Sequence, residues 1–281
     1  MASATQLSPV PTVLIQPPKR RLDLGLAELW EYRQLLYFLA WRDVKVRYKQ
    51  TALGASWAIL QPLAATIVFT IFLGHVAGLS SEGVPYALFT FVGLLPWTFF
   101  SAGVLNASTS VVSSASMITK IYFPRLALPI SAVSGGAVDL ACASLLLPPL
   151  MAYYGVAPTV RVVAFPLFLL VAAAAALGVG FSLAALNVRY RDVRYVVPLL
   201  VQLWLWATPV VYSASSIDQP WLTLYSLNPM VAPVEGVRWS ILNVGPLPGW
   251  PTAVSCASAF VVLFLGLVHF RRAEHSFADV I

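Results

Sequence analysis

Between Arg161 and Arg189 the chain runs for 27 residues without one charged side chain, VVAFPLFLLVAAAAALGVGFSLAALNV. As a helix that stretch is about 40 Å long, more than the roughly 30 Å of hydrocarbon in a bilayer. Backbone groups in hydrocarbon have no water to bond, so such a run is stable there as a helix that satisfies its own amides. Apolar runs at about 56–78, 86–108, 126–153, 196–213 and 251–270 repeat the pattern, and together with 162–187 they predict six membrane spans. The run over 126–153 is interrupted by Asp139 and by Pro148 and Pro149, and 196–213 is short enough to be tilted or partly re-entrant. Composition fits, since 10% of the residues are charged against roughly a quarter in soluble domains. The expected fold is an all-α integral membrane protein with its spans in residues 53–272.

The cations orient it. Fifteen of the 17 lysines and arginines fall before the first span, between the second and third, between the fourth and fifth, or after the sixth. Arg161 and Arg238 alone fall in loops on the other side. The positive-inside bias therefore predicts two cytoplasmic termini, a flexible tail over 1–22 and a short tail over 273–281. The apolar piece VPTVLI is too short, and its basic residues follow it, so it does not read as a secretory signal. The outward segment 214–250 carries five prolines in broken apolar stretches, QPWLTLYSL and NPMVAPVEGVRWSIL, which suit short re-entrant or surface helices. Glu235 and Arg238 are three apart and can pair on one of them.

Residues 23–52 sort by face when placed on a helix. Leu29, Tyr32, Leu35, Leu36, Leu39 and Val46 fall on one side, Arg42, Lys45 and Lys49 on another, and Trp30, Tyr37, Trp41 and Tyr48 between them. That is the pattern of a helix lying in the headgroup layer, although an ordinary cationic flank of the first span is the plainer alternative. Arg42, Lys45, Arg47 and Lys49, with Arg189, Arg191 and Arg194 of the loop NVRYRDVRY, define a cytoplasmic rim suited to lipid phosphates, and nucleic acid is not an expected partner.

Other chemistry is scarce. None of the four lysines is preceded by glycine, which excludes a P-loop of the form GxxxxGK[ST]. The three histidines have no HExxH spacing, the two cysteines no CxxC spacing, and Asp218 and Glu235 no spacing that suggests glycoside cleavage. No metal, cofactor or catalytic residue is expected in this chain. Asp139 lies inside a span where no other span offers a base, so it is either a protonated carboxyl bonded to a hydroxyl or amide, or a transport site.

The strings LLYFLAWRDVKVRYKQTALGASWAILQPL, ITKIYFPRLALP, LNVRYRDVRYVVPLLVQLWLWATPVVYS and LYSLNPM, in that order over roughly 28–272, resemble the permease subunit of ABC exporters of polysaccharides and polyol phosphates. The resemblance implies a homodimer in the bacterial inner membrane, bound to two copies of a cytoplasmic ATPase that holds the ATP and magnesium. It also implies a lipid-linked polysaccharide substrate such as O-antigen, capsule or teichoic acid. By the same resemblance Met117, Ile118, Lys120, Ile121, Tyr122, Phe123 and Arg125 form a coupling element that docks on the ATPase. The alternative is that 121–123 merely begin the third span. Sugars stack on aromatic rings without being gripped, which makes Phe69, Phe72, Trp97, Phe99, Phe100, Trp204, Trp206 and Tyr212 candidate conduit residues, with helix packing as the competing role. A proton-coupled secondary carrier would need ionisable groups along its path, and a membrane-bound glycan-modifying enzyme would need an acid pair or metal cluster; both stand as alternatives.

Overall fold

The computed structural model describes residues 26–49, 54–245 and 248–277. All regular elements among them are helical. In chain order these are α1 (Leu26–Glu31), α2 (Arg33–Tyr48), α3 (Trp57–Phe69, continued by a π-helical turn Thr70–Val76), α4 (Tyr86–Ser113) and α5 (Ala115–Ile118). After them come α6 (Ala127–Ser144), α7 (Leu147–Tyr153), α8 (Phe165–Arg189), α9 (Val193–Trp206), α10 (Trp221–Tyr225), α11 (Val231–Leu242) and α12 (Trp250–Ala273). The expected tail over 1–22 lies outside the described residues, as do 278–281; of the short tail over 273–281, Ala273 ends α12 and Glu274–Ser276 form a 3-10 turn.

Among the described residues five helical stretches are long and apolar enough to cross a bilayer: Trp57–Val76, Tyr86–Ser113, Ala127–Tyr153, Val160–Arg189 and Trp250–Ser276. The fifth expected span, 196–213, differs. Its helix, α9, has 14 residues, hence about 21 Å, roughly two-thirds of the hydrocarbon thickness. Residues 207–213 then leave the helix as a turn whose Val210 and Val211 are buried. Interruption of the third span is as expected, with α6 giving way to α7 where Pro148 occupies the first turn of the new helix.

The most buried of these five stretches is α4, which packs along α8 and α6; α12 packs on α8, and α2 packs on α6. Glycines set the closest crossing. A Cβ on Gly266 of α12 would overlap the carbonyl of Gly178 in α8, so the two backbones meet directly. The apolar faces of α3 and α9 stay exposed, at Ile67, Val68, Ile71 and Phe72 and at Leu199, Leu200 and Leu203.

The interfacial segment is present as α1 and α2, with one change of face. Leu29, Tyr32, Leu35 and Leu39 pack inward as expected, but Val46 is exposed and Val44 is buried in its place. The cause is the crossing with α6, where Ala40, Asp43 and Val44 face Gly135. Trp30, Tyr37 and Trp41 of the aromatic stripe point outward, whereas Tyr48 turns in against α6.

Candidate functional site

At one end of the bundle the chain turns from α4 through α5 into α6, and this turn holds the expected coupling residues. α6 begins at Ala127 and Ile121–Phe123 lie outside any helix, so they do not start the third span. The seven residues divide by face. Ile118 and Phe123 fold inward against Leu39, Leu126, Phe270 and Phe277, while Lys120, Ile121 and Tyr122 face out, with Ile121 62% exposed. Met117 is half-buried.

Two braces hold this turn. The Tyr122 hydroxyl donates to Glu28 Oε1 of α1 at 3.0 Å, and burial followed by that carboxylate pushes the Tyr122 phenol pKa upward. Arg125 donates to the backbone carbonyl of Glu274 and lies 6.0 Å from the ring centroid of Phe277. Arg125 therefore ties the turn to the end of α12 instead of standing free at the base of a knob. The sequence offered no signal for this clasp, since its acceptor is a backbone carbonyl 149 positions away.

Beside the turn, α2, α5, α6 and the last turns of α4 enclose a groove of about 520 Å³. Arg42 and Arg47 line one wall; Asn106, Thr109, Ser110, Ser113 and Ser131 line the facing walls. Ser114 makes no side-chain cap on α5, and Ser108, Ser110 and Ser113 bond back to carbonyls three residues earlier within α4. The rim also divides. Lys45 and Lys49 are exposed, whereas Arg42 bonds Asp43 Oδ1 at 2.9 Å and Arg47 pairs with Asp139.

That last pair corrects the expectation that Asp139 lacks a basic partner. The base comes from α2, outside the spans, because the crossing at Gly135 carries Arg47 and Tyr48 one turn further along α6 to the two Asp139 oxygens. Desolvation, then the bond to Asp139, pushes the Tyr48 phenol up to about 12. A smaller cavity of about 270 Å³ adjoins the pair, lined also by Trp57, Gln61, Thr98 and Phe99.

Arg189, Arg191 and Arg194 are exposed at the α8–α9 turn. Arg189 and Arg194 stack on their own neighbours Tyr190 and Tyr195, and no arginine pairs with Asp192 among the described residues.

The aromatic set is split as well. Trp97, Phe99 and Phe100 are buried, and Phe100 meets Trp204 edge-on at 5.2 Å, where the indole N–H donates to Asn228 at 3.1 Å. Tyr212 donates to the Trp206 carbonyl at 2.9 Å. Phe69 packs on Trp206 at 6.2 Å, and Phe72 and Trp206 keep most of their rings exposed along the α3–α9 edge.

At the opposite end Arg238 is fully buried, not displayed on a loop as its place in the charge pattern suggested. Its guanidinium donates to the carbonyls of Phe89, Pro209, Val210 and Tyr212 and to Glu235 Oε1 at 3.3 Å, over the Phe89 ring. The chain leaves α9 inside the protein, and its bare carbonyls need donors there. One arginine supplies them. The expected Glu235–Arg238 pair is present. Among the described residues no three His, Cys, Asp or Glu side chains converge.

A bundle of apolar helices with an exposed, braced turn between two spans defines a multi-pass membrane protein. The chain belongs to the ABC-2 type transporter family, whose sequence model matches residues 34–242. It is 34% identical over 261 residues to the O-antigen export system permease protein RfbA of Myxococcus xanthus, covering 90% of this chain and 98% of that protein. It is 25% identical over 248 residues to the protein of the same name from Klebsiella pneumoniae, covering 88% and 95%. The polysialic acid transport protein KpsM of Escherichia coli is 21% identical over 243 residues, covering 84% and 92%.

Proposed function

We propose that this chain is the membrane-spanning subunit of an ATP-driven exporter of lipid-linked polysaccharide, working as a homodimer in the bacterial inner membrane with two copies of a separate ATPase. Both termini face the cytoplasm. The observation that carries the reading is the α5–α6 turn, where Lys120, Ile121 and Tyr122 are held outward on a braced loop. Exposed apolar side chains on a held turn suit a protein partner, and a chain without a P-loop needs one for nucleotide chemistry. Relatives matched over nearly their whole length are export permeases for O-antigen and a polysialic acid transport protein, which supports a cell-surface polysaccharide as cargo.

The partner's ATP-driven closure pushes on the turn, and the braces to α1 and to the end of α12 pass that push to two further helices. The groove lined by Arg42 and Arg47 receives the phosphate of the lipid carrier, with Lys45, Lys49 and the α8–α9 arginines at the rim. The glycan passes along the exposed α3–α9 edge, past Phe69, Phe72 and Trp206, where two subunits face each other. Trp97, Phe99, Phe100 and Trp204 support that edge from within. A proton-coupled carrier is less well supported, because Asp139 is taken up by Arg47 and Tyr48.

Co-purification with the ATPase tests the reading. Ile121→Asp with Lys120→Glu is expected to abolish assembly or ATPase stimulation while leaving the permease folded. Unchanged assembly and turnover remove the coupling role.

A further inference from the structure

A second charged site lies at the end of the bundle away from the coupling turn. Glu82, in the loop between α3 and α4, adopts a left-handed backbone with φ 55°. A non-glycine residue there is uncommon and is kept where its surroundings hold it. Two hydroxyls do so, because Ser213 and Ser215, just beyond the break after α9, both donate to Glu82 Oε1. From the other side α11 presents Glu235, whose Oε1 accepts the Ala214 N–H at 3.0 Å and Arg238 at 3.3 Å. Each carboxylate thus has one oxygen supplied with donors.

The other two oxygens converge. A Cβ on Gly245 would stand 3.3 Å from Glu235 Oε2 and 3.6 Å from Glu82 Oε2, so those oxygens lie no more than about 7 Å apart around one small space. Gly245 leaves it open, having no side chain and a φ of 91° that other residues rarely adopt. Glu235 is buried, and its Oε2 has no hydrogen-bond partner among the described residues. Arg238 cannot turn to it without abandoning the carbonyls of Phe89, Pro209, Val210 and Tyr212.

We propose that Glu82 Oε2 and Glu235 Oε2 bind a hard divalent cation, calcium or magnesium, at this point. Such ions take carboxylate and hydroxyl oxygens at about 2.0–2.6 Å, and one ion between the two oxygens removes their mutual repulsion. Two carboxylates beside one guanidinium leave a single net negative charge, so the affinity is weak, in the millimolar class of extracellular sites. The ion pins together the α3–α4 loop, the turn that follows α9, and α11.

The test uses the full chain, purified in detergent and stripped with chelator, with thermal unfolding followed while calcium or magnesium is raised at constant ionic strength. A saturable rise of ~2–4 °C in Tm is expected, half complete at millimolar cation. Glu82→Gln is expected to lose that rise. No saturable rise, or an equal rise in Glu82→Gln, overturns the site. If that variant does not fold, terbium luminescence of the wild-type chain decides, and failure of calcium to displace terbium saturably rejects the proposal.

Discussion

Arg47 and Arg238 solve opposite problems at the two ends of this molecule. Arg47 sits at the edge of two cavities with about a third of its side chain exposed and meets a single carboxylate that it shares with Tyr48. Arg238 is fully buried and meets four carbonyls and one carboxylate. The contact at Arg47 can be exchanged for another anion at modest cost, whereas the contacts at Arg238 can be broken only by exposing the end of α9. The end that carries the α5–α6 turn is thus built to change partners and the opposite end to keep them.

The sharpest way to break this contrast is Arg238→Ala, which leaves several buried carbonyls without donors and a buried carboxylate without its cation. A loss of about 3–5 kcal/mol is expected, seen as failure to accumulate folded protein in the membrane. Arg238→Lys is expected to rescue little, because one ammonium with three donors cannot span sites set for a planar fork. Next comes Gly266→Ala, which forces α12 off α8 and costs ~1–3 kcal/mol by thermal unfolding in detergent. At the other end, Asp139→Asn weakens the bonds to Arg47 and Tyr48 by ~1–2 kcal/mol, and the cycle with Arg47→Gln gives a positive coupling energy. Equal costs for Arg238→Ala and Asp139→Asn would erase the distinction between the two ends. The smallest effect on stability is expected at Ile121→Asp, within about 0.5 kcal/mol, since that side chain touches little of its own subunit.

The spans were legible because hydrocarbon admits few solutions, and a run such as 162–187 has little alternative to a helix. The Glu235–Arg238 pair also followed from local spacing. Three features did not. The end of α9 at Trp206 is set by Arg238 and Asn228, which approach from the chain beyond, so the apolar run continued past the helix. Asp139 found its base in α2 because a helix crossing, invisible to spacing, brought together residues 92 apart. The clasp of Arg125 on the Glu274 carbonyl spans 149 positions and uses a backbone acceptor, which no side-chain motif records. Among the aromatics, residue type alone could not separate Trp97 and Phe100, which pack the interior, from Phe72 and Trp206, which face out.

The most direct measurement is polysaccharide movement into sealed vesicles holding the purified chain, with and without its ATPase and ATP. Flux is expected only when both are present and is expected to vanish with Ile121→Asp. Sugar transport by the chain alone, in the absence of nucleotide, would contradict a permease driven through its α5–α6 turn.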